Sequence, residues 1–241
     1  MALPVNNMPV FNLTIPSSGK KVKFRPFLVK DEKALMIAQQ SEDIMVMVDT
    51  LKSVIKSCVV DDIDVDALAT FDIEYMFIQI RGKSIGETVE LLFPCDEDHG
   101  EEQNEKARVK IKIDISTLEV EKSPEHTNKI DLFNNVGIVL RYPTIDSAKK
   151  LESIQADNLD GVFDIIADSI EYIFQGEDLF YAKEQKREEL LQFLNNLTTE
   201  QFMKVQKFFE TMPKIKTEVD YNCPVCGKAH HKVLEGLQSF F

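Results

Sequence analysis

The chain has 241 residues and a formal net charge of −13, with 44% hydrophobic and 29% charged residues and only nine glycines and nine prolines. That apolar content can bury a core as one large domain or two small ones, and it excludes both a disordered chain and a fibrous repeat. The acidic balance opposes nonspecific binding to DNA, RNA or an anionic bilayer, which demand clustered Lys and Arg, and favours protein partners.

The opening MALPVNNMPVF has no basic region and no apolar run, so no secretory leader is expected there. The segment PVFNLTIPSSGKKVKFRPFLV reads as two strands around a Pro16-Ser17-Ser18-Gly19 turn. Asp31 is placed to cap a helix carrying Leu35 and Ala38. Ser41 is placed to cap a second, whose stripe of Ile44, Met47, Val48, Leu51, Ile55 and Cys58 has the spacing of a buried face. Cys58 then reads as a small core residue. Asp62, Asp64 and Asp66 alternate like the first ligands of an EF-hand, but Ala67 and Ile73 stand where Gly and Glu are required, so these acids read as a solvated loop and cap. From Asp72, the residues Ile73, Met76, Phe77 and Ile80 again have helical spacing.

The texture then changes. Glu87 to Phe93 reads as a strand, CDEDHGEEQNEK as a polar loop, and ARVKIKIDI as a second strand. Lys129 to Phe133 and Val136 to Tyr142 read as a hairpin turning at Asn134-Asn135, a pair that suits positive φ. His126, in KSPEHTNK, reads as a loop residue. Asn158 is expected to cap a helix carrying Leu159, Val162, Phe163, Ile166, Ile170 and Ile173, stopped by Gly176. Lys186 to Leu197 reads as a short helix, and Thr198 with Gln201 as a capping box ahead of Phe202, Val205, Phe209 and Met212. Lys214 to Tyr221 is a strand leading into Cys223-Pro224-Val225-Cys226-Gly227. No apolar stretch reaches the roughly 18 residues of a membrane span.

Four cysteines are too few for a disulfide scaffold and point to a reducing compartment and metal use, in a soluble protein folded in the cytosol. The Asn12-Leu13-Thr14 and Asn196-Leu197-Thr198 sequons then carry no meaning. Two cysteine-bearing segments echo each other: ETVELLFPCDEDHG before ARVKIKIDI, and KTEVDYNCPVCG before KAHHKVLEGL. Each runs strand, cysteine, second ligand type, glycine, polar stretch, apolar segment. Gly100 and Gly227 directly follow His99 and Cys226, where a knuckle must turn sharply and φ > 0 is required. Together they offer Cys95, His99, Cys223 and Cys226, a closed set suited to one structural Zn(II). His230 or His231 is an alternative fourth ligand, and otherwise a solvated pair on a strand edge. The separation is no obstacle, because loop closure costs only about 0.6 kcal/mol per doubling of length. Structural zinc contributes ~10–16 kcal/mol in small peptides.

The expected fold is α+β, mainly helical, with short antiparallel strands and a split zinc ribbon. Residues 1–86 form an N-terminal hairpin and helical region. Residues 87–241 hold the ribbon, with knuckles near 88–116 and 214–241 and a strand pair and helical segment inserted over 117–213. No nucleophile, phosphate loop or open metal position is evident, so no enzyme is expected and no small-molecule substrate. A zinc-ribbon nucleic-acid-binding or regulatory protein is the alternative class, yet Asp96, Glu97, Asp98, Glu101 and Glu102 would repel phosphate. A protein-interaction or assembly factor is left standing. The final Leu237, Phe240 and Phe241 either fold back onto the core or anchor a partner.

The runs FRPFLVKDEKALMIA, FDIEYMFIQIRGKSIGE and LRYPT, followed by the terminal CPVCG and LEGLQSFF, keep their order over nearly the whole chain. In that set the chain resembles the baseplate-hub assembly proteins of T-even-like contractile-tailed bacteriophages. The resemblance implies a non-enzymatic viral protein that meets other baseplate hub or tail proteins in the host cytoplasm during assembly. Either a transient chaperone or a minor component kept in the virion baseplate satisfies it. The acidic charge, separately, leaves no nucleic-acid and no membrane partner expected.

Overall fold

The computed structural model describes residues 7–41, 43–147 and 159–240. β1 (Phe11–Thr14) and β2 (Lys21–Phe24) pair antiparallel across the expected turn, where Gly19 takes φ +68°. Alternation puts Leu13, Val22 and Phe24 inside. α1 (Val29–Gln40) is capped at Leu28 and starts three residues earlier than a cap at Asp31 would place it. Asp31 is the third helical residue, and its carboxylate accepts the Leu28 N–H at 2.8 Å. It is buried against the Arg25 guanidinium at 2.8 Å. Burial pushes its carboxyl up, but Arg25, the Leu28 N–H and Ser57 outweigh that and hold it below the usual range. α2 (Ile44–Cys58) is capped by Asp43, which accepts the Met45 N–H at 2.8 Å, while Ser41 closes α1 on the Ala38 carbonyl at 2.6 Å. Both residues are competent caps, and the nearer, charged one serves the helix dipole better. Only the later part of the stripe, with Leu51, Val54, Ile55 and Cys58, is buried, and Ile44 is exposed.

The acidic loop behaves as expected: Asp64 caps a 3-10 turn over Val65–Ala67. α3 (Thr70–Ser84) has Asp72 as its third residue, fully buried, accepting from Ser17 N–H and Oγ–H and from Ala69 N–H. This carboxylate fastens the first turn to the helix start. α3 is apolar on two sides. Ile73, Met76 and Ile80 join the core made with β1, β2 and α2, and Ile78 joins a different one. A helix buried on both sides shows no single stripe, so only one face was legible.

β3 (Thr88–Phe93) pairs antiparallel with β4 (Val109–Asp114), and the loop between them carries the short helix α4 (Glu101–Lys106). β5 (Val120–Glu121) follows. β6 (Lys129–Phe133) and β7 (Val136–Leu140) form the expected hairpin, with Asn134 and Asn135 at φ 42° and 60°. The Asn158 cap lies outside the described residues. α5 (Leu159–Ser169) ends before the sequence suggests, since Ile170–Gln175 is the strand β8, paired with β7 and, through a turn at Gly176, with β9 (Asp178–Tyr181). Ile166, Ile170 and Ile173 sit at helical spacing, but the β-branched and aromatic run ending at a glycine turn satisfies a strand better. α6 (Arg187–Asn195) and α7 (Thr199–Glu210) pack on this sheet, α7 capped by Thr198 and Gln201 as expected.

β10 (Lys214–Asn222) pairs with β11 (Ala229–Glu235) on one edge and with β5 on the other. Their inner face shares a core with Ile78, Val89, Phe93 and Ile113, closed by Phe240, which is 1% exposed. Leu237 packs beside it, so the tail folds back through Phe240. Phe241 lies outside the described residues. Among those residues, eleven strands form four antiparallel sheets. The fold is therefore mixed α/β, and the expectation of a mainly helical chain is corrected. The miss came chiefly from β8 being read as helix and from β9, for which no element was expected. No helix among the described residues is long and apolar enough to cross a membrane.

Candidate metal centre

The site forms where two hairpins meet. β3 ends at Phe93 and delivers Cys95 through Pro94, while β10 ends at Asn222 and delivers Cys223 directly. The ends are tied together: the Tyr221 hydroxyl donates to the Pro94 carbonyl at 2.8 Å, and the Phe93 and Tyr221 rings lie 5.4 Å apart. The two knuckles repeat one geometry. Cys95 Sγ accepts the Glu97 N–H and Cys223 Sγ the Val225 N–H, both at 3.4 Å. Gly100 and Gly227 adopt φ 80° and 75°, the left-handed conformation expected after each second ligand.

The donor atoms of Cys95, His99, Cys223 and Cys226 all lie within 4.8 Å of one another, so the cluster could hold a metal ion. Cys95 and Cys226 Sγ are 3.9 Å apart, and Cys223 Sγ is 3.6 Å from His99 Nε2. Ligands at Zn–S of ~2.3 Å and Zn–N of ~2.0–2.1 Å in a tetrahedron stand about 3.6–3.8 Å apart, so these spacings fit. Electrostatics agree with a thiolate site. Burial pushes the Cys223 thiol up, but the N–H groups of Cys226 and Val225 and the neighbouring thiols bring it down to about 6. Desolvation, reinforced by Cys223 and Cys226, raises Cys95. One sulfur is already primed to ionise, and a cation would have to draw the proton from Cys95.

His99 is held at the head of α4: its N–H donates to Asn104 Oδ1 at 2.9 Å, while Asp98 Oδ1 accepts from Gly100 N–H and Asn104 Nδ2. The two other candidates separate by strand alternation. His231 points outward to Asp220, Nδ1 to Oδ1 2.8 Å. His230 points inward, 6% exposed, with Nε2 3.3 Å from Cys95 Sγ. The reading of both as a solvated pair therefore holds for His231 only. Sequence reasoning missed Asp96, Asn104 and Tyr221 as supports. The period-2 pattern of YNCPVCGKAHHKVLE would have put Tyr221 and His230, register partners, on one face.

His126 is no solvated loop residue. It is 8% exposed, in a three-ring cluster with Tyr142 and Phe208, with Nδ1 3.0 Å from Thr211 Oγ1 and Nε2 3.0 Å from the Tyr142 hydroxyl. Its loop closes over α7, which no local pattern announces. It serves as a packed polar strut between Thr211 and Tyr142.

The profile of a protein family described as T4 bacteriophage base plate protein matches residues 8–241, nearly the whole chain. No curated protein and no solved structure matches the chain.

Proposed function

The chain belongs to the T4 bacteriophage base plate protein family, and from that premise we propose that it is a non-enzymatic protein required to assemble the baseplate hub. It acts through contacts with other hub or tail proteins. The observation that carries this reading is the match over residues 8–241. The Cys95, His99, Cys223 and Cys226 centre holds one structural Zn(II). With four protein ligands it has no open position for substrate or water, and its role is to clasp the loop after β3 to the loop after β10. Asp96, Glu97 and Asp98 beside the ligands disfavour a nucleic-acid partner.

A phage carrying a stop codon at Glu32 tests the proposal. Infected cells should accumulate particles without complete baseplates, rescued by the protein supplied in trans. Normal tails without it would refute the role. Mass spectrometry of purified virions separates a chaperone that leaves from a component that stays.

A further inference from the structure

Four ligand positions are served by five donors. His230 is the fifth, and its ring is more deeply buried than that of His99. Its side chain is 2% exposed. Its ring stacks on Tyr221 at 5.0 Å, and Nδ1 lies 3.2 Å from Asp96 Oδ2. Lys232 Nζ holds the other Asp96 oxygen at 2.9 Å. An ionised carboxylate only accepts, so Asp96 takes the Nδ1–H of His230. The lone pair of Nε2 then faces the cluster, 3.3 Å from Cys95 Sγ. A carboxylate that orients one imidazole nitrogen so that the other can bind metal is the support metal-ligating histidines ordinarily have. His99, in contrast, sits in a half-exposed loop whose contacts come from its own backbone N–H.

We propose that His230 is a standby ligand, taking the imidazole position when His99 leaves, so that the ion keeps three thiolates and one imidazole in either arrangement. This rests on the metal-centre reading above. Both histidines cannot serve a tetrahedral ion together with three thiolates, and the mutual fit within 4.8 Å makes His99 the resident. His230 keeps the clasp shut while the α4 loop moves.

The test is Co(II) titration of the intact protein, read by the visible bands of a tetrahedral thiolate site, with His99→Ala, His230→Phe and the double variant. Phenylalanine keeps the stack on Tyr221. His230→Phe alone should weaken binding far less than His99→Ala does. His99→Ala should weaken binding about 10–100-fold while keeping the tetrahedral spectrum, and the double variant should lose at least a further ~100-fold. Asp96→Asn reaches the same question without touching His230, and should weaken binding much more in the His99→Ala background than in the wild type. If His99→Ala is already as weak as the double variant, the standby role is wrong while the metal centre stands. If His230→Phe alone abolishes binding, His230 is the resident ligand and the proposal is overturned. A wild-type chain that binds no Co(II) through thiolates overturns the metal centre and this inference with it.

Discussion

Truncating Phe240 to alanine tests whether the chain end is core. Its ring is 1% exposed, in one buried cluster with Ile78 of α3, Tyr221 of β10 and Leu234 of β11. The neighbouring turn is pinned by Ser239, whose hydroxyl donates to the Glu235 carbonyl at 2.7 Å and accepts the Glu235 N–H at 3.1 Å, so the backbone should not collapse into the space left. Removing a fully buried Phe side chain without collapse costs about 3–5 kcal/mol. For a chain of this size each kcal/mol lowers the melting temperature by ~2–4 °C, giving an expected drop of roughly 6–20 °C. Differential scanning calorimetry of wild type and Phe240→Ala reads this directly, and Phe240→Leu should recover most of the loss. A melting temperature lowered by less than about 2 °C, together with failure to capture tail proteins from infected cells, would show that the end is a docking element instead.

Three further outcomes follow from buried contacts. Gly137→Ala should destabilise strongly, because a Cβ there would stand 2.1 Å from Phe174 Cζ and 2.5 Å from the Ile130 carbonyl. Overpacking costs ~1–3 kcal/mol or more, so an unchanged urea midpoint would mean that β7 and β8 are not paired in this register. Asp72→Ala strands the Ser17 and Ala69 donors and should cost about 1–3 kcal/mol per buried donor left unmet. A midpoint equal to wild type would remove Asp72 as the fastener of the first turn. Stability should also decline as pH falls through the unfolded imidazole value of about 6.5, because burial, helped by the Lys122 ammonium, lowers the pKa of His126. Thr211 Oγ1 donates to the Lys207 carbonyl at 2.6 Å, so His126 must donate Nδ1–H to Thr211 and accept from Tyr142 as the neutral ring. The unfolded chain takes up the proton first, so this contribution is complete above that pH and is lost below it. His126→Phe should show a shallower fall in urea midpoint from pH 8 to pH 6, and identical slopes would contradict the assignment.

What was legible in the sequence had local causes. The Asn134-Asn135 turn, the Thr198 and Gln201 capping box and the left-handed Gly100 and Gly227 each follow from the conformational needs of one or two residues. The paired knuckles were readable because the chain repeats them, and so were all four members of the cluster. Long-range packing was not readable. Nothing near Ile170 says that β7 waits beside it, so a run with both periodicities was read as helix. His126 looked like loop because its partners lie 16 and 85 residues away. The burial of His230 depends on the β10–β11 register and on Asp96, 134 residues distant. Ser41 and Asp43 compete for one cap, and the nearer, charged residue takes it.

Three thiolates and one imidazole from two distant hairpins are proposed to hold a single zinc ion. Zinc K-edge X-ray absorption on the protein purified without added metal measures this most directly. The expected first shell is three sulfurs at ~2.3 Å and one nitrogen at ~2.0–2.1 Å, with about one zinc per chain. An oxygen-dominated shell, fewer than three sulfurs, or a well-folded chain carrying no zinc would contradict the account.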